Sequence, residues 1–320
     1  MWKTVVRRIL IMIPQIIILS VLIFMIAKMM PGDPFTGMID PNTDPAQIAA
    51  LRAKMGLDDP WWQQYVRWVQ NVFHGDFGQS FTFKVPVTQL LGERVGNTIW
   101  LSILSLTLTY ALALPLGLLA GRYNNSNLDR VVTFYNYLSY SIPTFVLALL
   151  FLWIFGYNFG WFPTGGSVDL NVVPGTLQYL GNRIYHMLLP AITYALLGTT
   201  GIIQYLRSEV IDAKQEDYVK TARSKGVPVE KVYTKHIFRN AILPVASSFG
   251  YEITGLIGGS VFIEQIFAYP GMGQLFIQSI TSRDYSVVLA VMLLSGIAVL
   301  FGTLLSDIIL SIVDPRIRIE

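Results

Sequence analysis

The chain of 320 residues is 53% hydrophobic and only 13% charged, with a mean hydropathy of +0.51, where a soluble domain carries about 25% charged residues. That balance marks an integral membrane protein. The lack of cysteine excludes a disulfide framework, a thiol nucleophile and a cysteine-based metal site, and a net charge of +3 gives no support for a nucleic-acid partner.

Along the chain, the first element is Ile9–Ala27, an uncharged run whose length of roughly 28 Å at about 1.5 Å per residue covers the hydrocarbon core. Lys3, Arg7 and Arg8 precede it as in a signal peptide, but the run is too long for a cleaved signal. No small-x-small site follows before Lys28, so it reads as a retained first span. The connection Pro31–Asn97 is the longest. A helix is expected over Asp44–Met55, with Asp44 as N-cap and Pro45 at the first helical position. A second follows in "PWWQQYVRWVQNVFHG" from Pro60. Its Trp61, Trp62, Tyr65 and Trp68 suit either the headgroup layer or the core of a small outer cap.

Further apolar runs at Thr98–Gly121, Val131–Tyr157, Met187–Leu206, Ile242–Ile263 and Tyr285–Val313 bring the expected spans to six. Asn158–His186 carries the turn signals "PTGG" and "VPG" and reads as a second outer loop. Lys and Arg concentrate before the first span, at Arg122 and Arg130, between Arg207 and Arg239, and at Arg316 and Arg318. The positive-inside rule then puts both termini in the cytoplasm, N-in and C-in.

The segment "DYVKTARSKGVPVEKVYTKHIFRNAILP", Asp217 to Pro244, is basic and amphipathic among greasy neighbours. Ile211, Val219 and Ala222 mark an apolar stripe over Ser208–Lys225, Gly226-Val227-Pro228 breaks it, and Val229, Val232, Tyr233 and Ile237 resume it. Lys231, Lys235 and Arg239 occupy the far side. Two readings suit such an elbow: a helix pair lying in the lipid interface, or a docking surface for a cytoplasmic protein. The neighbouring acids Glu216 and Asp217 count against the first, and small Ala222 and Gly226 permit the close approach needed by the second.

"TARSKGVPVEKVYTKHIFRNAILP" resembles the coupling loop of ABC-importer permeases of the peptide branch. Ala222, Gly226 and the terminal Leu243-Pro244 match the family pattern, while its Glu and first Ala fall on Lys220 and Thr221. "MPGDPF", "HGDFGQSF", "SIPTFVLALLFL", "FPTGG", "LLPAITYAL", "IEQIFAYPGMGQLF", "RDYSVVLAVMLLSG" and "DPRIR" extend the resemblance over nearly the whole chain. The set is similar to the first permease subunit, which has the long outer segment after its first span.

The resemblance implies an all-α integral membrane protein with the six-helix type I ABC-importer permease fold, one permease domain over residues 1–320. Within it, residues 31–97 would be extracytoplasmic and residues 207–241 the cytoplasmic coupling loop. It implies a bacterial cell membrane, a second homologous permease, two cytoplasmic ATP-binding subunits, an extracytoplasmic peptide-binding protein, and oligopeptides as cargo. Dipeptide and nickel permeases of the branch share these motifs. ATP would be bound by the partners, and this chain indeed has no GxxxxGK[ST] loop. Thr221, Ala222, Gly226, Val227, Pro228, Val232, Tyr233 and His236 would form the contact with the ATPase, the apolar stripe lying in a groove on it.

Intramembrane charge is expensive and tends to be functional. Glu252 falls near the middle of the fifth span, either lining a path for peptide or satisfied by a neighbouring helix; Gly255 and Gly259 beside it form a GxxxG suited to helix packing, with a path alongside. Asp307 is expected to be structural and Glu264 solvated at a span end. An enzyme is not indicated, since His74, His186 and His236 all lie outside the apolar runs and no HExxH occurs. A secondary transporter would show paired broken helices and internal repeats, and neither is visible.

Overall fold

A chain crossing lipid must satisfy its own backbone N–H and C=O groups, and a helix does so within one segment. The computed structural model describes residues 2–29, 58–246 and 261–313 together with Gly56, Phe249 and Glu252, and they are helical apart from their connections. In chain order these are α1 (Trp2–Met29), α2 (Trp61–Phe73), α3 (Val87–Arg122), α4 (Asn127–Ser141), α5 (Thr144–Asn158), α6 (Leu177–Ala213) and α7 (Asp217–Ser224). After them come α8 (residues 229–241), α9 (Val261–Ile266), α10 (Met272–Thr281) and α11 (Tyr285–Val313). Four of the described helices, α1, α3, α6 and α11, are long and apolar enough to cross a membrane.

The run Val131–Tyr157, expected as one span, is made of two helices, α4 and α5, that meet at a bend of 100°. Pro143 is the cause. It has no N–H to continue the ladder, and it pushes Ile142 into the extended region at φ −90°, ψ 120°. Most of Ile242–Ile263 and all of the helix expected over Asp44–Met55 lie outside the described residues.

The centre of the fold is the crossing of α3 on α6, which run parallel. Small residues let the backbones approach. A Cβ on Gly117 would lie 3.0 Å from Leu206, one on Gly121 2.6 Å from Val210, and one on Gly198 3.3 Å from Thr109. The three contacts share one sequence offset, so a single register holds along the pair. Ala113, Ala120, Ile202, Ile203, Leu206 and Val210 bury the seam. α4 folds back antiparallel on α6, with Asp129 against Arg207 at one end and Tyr135 donating to the Leu196 carbonyl at 2.6 Å further along.

α1 and α11 form an antiparallel pair, with Leu19 over Gly296 and an ion pair of 2.8 Å between Arg8 and Asp307. α2 lies on α1. Phe24 meets the rings of Tyr65 and Trp68 at 5.5 and 5.8 Å, and the Tyr65 hydroxyl shares a hydrogen bond of 2.8 Å with Ser20. Tyr65 and Trp68 therefore pack on a helix while Trp61 and Trp62 stay about half exposed.

Two sequence motifs meet at the end of the molecule where α3 begins. The Asp284 carboxylate, fully buried, accepts from the Ser80 hydroxyl and from the Thr82 N–H at 3.1 Å, joining "HGDFGQSF" to "RDYS". The seam yields a test. Gly121→Ala should lower the thermal midpoint of the detergent-purified chain, since forcing a methyl into a full core costs about 1–3 kcal/mol. Gly92→Ala in the same helix, where a Cβ would meet nothing within 4 Å, should lower it little or not at all; equal losses in the two variants would show that the contact is not the cause.

Candidate functional site

The elbow begins where α6 stops. The helix expected to continue through Ser208–Lys225 breaks at Lys214–Glu216. The Lys214 ammonium turns to the last turn of α3, donating to the Gly121 and Arg122 carbonyls at 3.0 and 3.1 Å and to Asn124 Oδ1 at 2.6 Å. A cation at a helix C-terminus both fills orphan acceptors and meets the negative dipole end. α7 then starts afresh at Asp217.

α7 ends in a Schellman motif. The Gly226 N–H donates to the Arg223 carbonyl at 2.9 Å and the Val227 N–H to the Ala222 carbonyl at 3.2 Å. Gly226 sits at φ +72°, where any Cβ is strained. Pro228 opens α8, which continues as the turn Val229–Lys231, a π turn Val232–Ile237, and Phe238–Ala241.

The elbow's apolar stripe is covered by the chain itself. Val219, Ala222, Val232, Tyr233, Ile237 and Ala241 are buried with Ala120, Leu206, Val210 and Ala213. This corrects the expectation that the stripe lies in a groove on a partner. Helices of this length cannot bury an apolar face alone, and the projecting ends of α3 and α6 supply the surface. Polar clamps reinforce the joint. The Arg122 guanidinium lies over Tyr123 and Tyr233 at 5.0 and 4.9 Å and pairs with Glu230 at 2.8 Å. Arg207 grips Asp129 in a fork of 2.6 and 2.9 Å.

Of the residues singled out for coupling, Ala222, Val232 and Tyr233 are therefore internal, Val227 and His236 half-buried, and Thr221, Gly226 and Pro228 exposed. Tyr218 and Val229 join the exposed group. A Cβ on Gly226 would meet nothing within 4 Å, so the space over this turn is open.

Glu252 is half-buried and within electrostatic reach of the Tyr110 and Tyr194 hydroxyls, and Phe249 packs edge-on to Tyr110 at 5.1 Å. Gly255 and Gly259 lie outside the described residues. The Gly-x-x-x-Gly crossing that is described is Gly117 and Gly121, which sequence reasoning passed over although the pattern is plain in "PLGLLAG".

Glu264 is not solvated. It is fully buried, accepting from Thr98 Oγ1 at 2.8 Å and from the Gly273 and Gln274 N–H groups at 2.6 and 3.1 Å. It thus caps the N-terminus of α10, where backbone donors and the dipole favour an anion. Asn97 adds a bond of 2.8 Å to the Pro270 carbonyl, and Arg183 one of 2.8 Å to Asn97 Oδ1. A Cβ on Gly271 would fall 2.4 Å from the Glu264 carboxylate. The glycines of "YPGMG" were the available sign that a side chain closes over this turn.

Two family models match the chain. One, the binding-protein-dependent transport system inner membrane component, covers residues 113–319. The chain belongs to that family. The other, the N-terminal part of the same membrane components, covers residues 1–102. Among similar proteins, an oligopeptide transport system permease protein of Bacillus subtilis is 40% identical over 98% of both chains. A glutathione transport system permease protein of Salmonella paratyphi A is 33% identical over 99% of both. Family membership makes this a membrane permease and a component of a transport system.

The loop before α6 offers a pH test. Asp169 accepts from Asn182 Nδ2 at 2.6 Å and faces His186 Nε2 at 3.1 Å, and these bonds hold its carboxyl below the usual carboxylate range. A depressed folded value gives stability that is present above the unfolded value, near 3.9, and is lost as pH falls through the folded one. Amide exchange in the Val168–Val172 turn should therefore be slow at pH 7 and accelerate, relative to its intrinsic rate, on acidification to about pH 3. Asp169→Asn should blunt the acceleration; an unchanged profile in the variant would refute the clamp.

Proposed function

We propose that this chain is one of two homologous permease subunits of an ATP-driven importer that moves peptides across a bacterial cell membrane. Cargo would be delivered by an extracytoplasmic peptide-binding protein, and energy by two cytoplasmic ATP-binding subunits docked on the elbow. The observation that carries the coupling role is the open turn at Gly226. It is an exposed, positive-φ glycine with free space above it, on an elbow whose other side is cemented to α3 and α6. A surface so placed passes a push on Thr221, Gly226, Val227, Pro228 and His236 into the membrane helices. Ala222, Val232 and Tyr233 are its backing.

The ordering of the elements supports six spans with both termini inside. α3, α6 and α11 run towards the elbow end, and α1 and α4 run away from it. Val245 packs in the elbow cluster while Glu264 bonds Thr98 near the start of α3, so the chain between them joins opposite ends. On that reading residues 31–97 are extracytoplasmic, residues 207–241 form the cytoplasmic coupling loop, and residues 1–320 are one permease domain. The relatives' names favour oligopeptides, and the one named for glutathione extends the range to short peptides. Glu252, held among tyrosines, would face the path and attract a peptide's amino group.

Topology is checked with reporters. One fused after Gln79 should read external and one after Ser224 cytoplasmic; the same side for both would overturn the six-span reading.

Coupling is checked with Gly226→Asp. Aspartate tolerates a left-handed φ better than most residues, and its Cβ meets no atom of this chain, so the variant should insert and fold. Capture of the ATP-binding subunits and peptide uptake should each fall about tenfold or more, because a carboxylate buried unpaired at an interface is costly. Normal uptake in a well-inserted variant would show that this turn touches no partner.

A further inference from the structure

In α8 the inward residues are Val232, Tyr233, Ile237 and Ala241, while Lys231, Lys235 and Arg239 are exposed on the outer side. None of these three cations has a hydrogen-bond or ion-pair partner among the described residues. The one acid of residues 229–241, Glu230, is drawn away to Arg122 at 2.8 Å. Spacing of four residues through a widened π turn keeps the three on one face. The result is a row of uncompensated positive charge.

Its place along the chain decides what it meets. Arg239 precedes by three residues the apolar run that opens at Ile242. At about 1.5 Å per residue, Arg239 lies within about 5 Å of that run and Lys231 within about 16 Å. The headgroup layer on each face of a bilayer is roughly 5–7 Å thick, and a surface potential decays over about 8 Å at physiological ionic strength. Arg239 thus falls among the headgroups, Lys235 reaches them along its flexible stem, and Lys231 sits in their field.

We propose that Lys231, Lys235 and Arg239 form a ladder that binds the phosphate groups of anionic phospholipids at the membrane face where this segment enters the bilayer. The occupant is lipid rather than a protein partner because the row lies between the open turn at Gly226 and the membrane. A docking protein would centre on the turn at Gly226 and meet α8 only at His236, which is half-buried and lies about a quarter-turn round the helix from the exposed row. Bound headgroups would fix the tilt of α8 and so the height at which the turn is presented. The inference rests on α8 leading into a membrane segment, and not on the nature of the cargo.

The test uses the full chain purified in mixed micelles doped with phosphatidylglycerol or phosphatidylcholine, with retained lipid counted by native mass spectrometry. Each cation near an anionic surface contributes about fivefold. Wild type should hold phosphatidylglycerol at least about tenfold more tightly than phosphatidylcholine, and the preference should shrink as salt rises. The triple variant Lys231→Gln, Lys235→Gln, Arg239→Gln should lose it. A control pair at the turn, Arg223→Gln with Lys225→Gln, should keep it. No preference in wild type, a preference that ignores salt, or equal loss in the control pair would each overturn the proposal. So would a triple variant that keeps its lipid but fails to capture the ATP-binding subunits, which would make the row a protein contact.

Discussion

The close parallel crossing of α3 on α6 is the constraint to which the rest of the molecule is fitted. Gly117, Gly121 and Gly198 remove the side chains that would hold the two helices apart, and in lipid, where no hydrophobic force drives helices together, such contact is what remains to bind them. Because one register runs through all three contacts, the two helices end level with each other. That leaves Arg122 and Lys214 side by side at the seam's end, where Lys214 closes the carbonyls of α3. The elbow has no core of its own and is built entirely on this platform.

The opposite end is tied to the same helix by different means. Burying the Glu264 carboxyl group is costly unless donors reach both of its oxygens. Here a threonine hydroxyl of α3 and two backbone N–H groups of α10 supply them. The Thr98 hydroxyl also accepts from the Met272 N–H at 2.8 Å. α3 is thus pinned by packed glycine and valine at one end and by a buried, hydrogen-bonded carboxyl group at the other.

Much of the fold was legible because hydropathy and length speak directly in a membrane. α11 has the expected limits, and α1, α3 and α6 contain the expected runs. What was not legible had specific causes. Pro143 lies in a run apolar enough to read as unbroken, so the bend was missed although the residue was in view. Glu264 read as solvated because sequence gives no sign of which backbone N–H groups will face it. The elbow's stripe was correctly seen as apolar, but periodicity states that a face is buried and not against what. The three-dimensional proximity of α3 and α6 decided that.

The π turn in α8 reconciles the elbow's two faces. Val232 and Ile237 are five residues apart and both fully buried. In a regular α-helix residues at that spacing point some 140° apart, so one of them would leave the core. The wider turn closes i to i+5 and aligns them. The same widening holds Lys231 and Lys235 to the outside, where neither competes with Arg122 for the stack on Tyr233. An α-helical α8 would have to surrender either an apolar contact with α6 or the separation of charge from the seam. The irregular turn is therefore how a short helix remains welded to the membrane helices on one side and free to meet phosphate on the other.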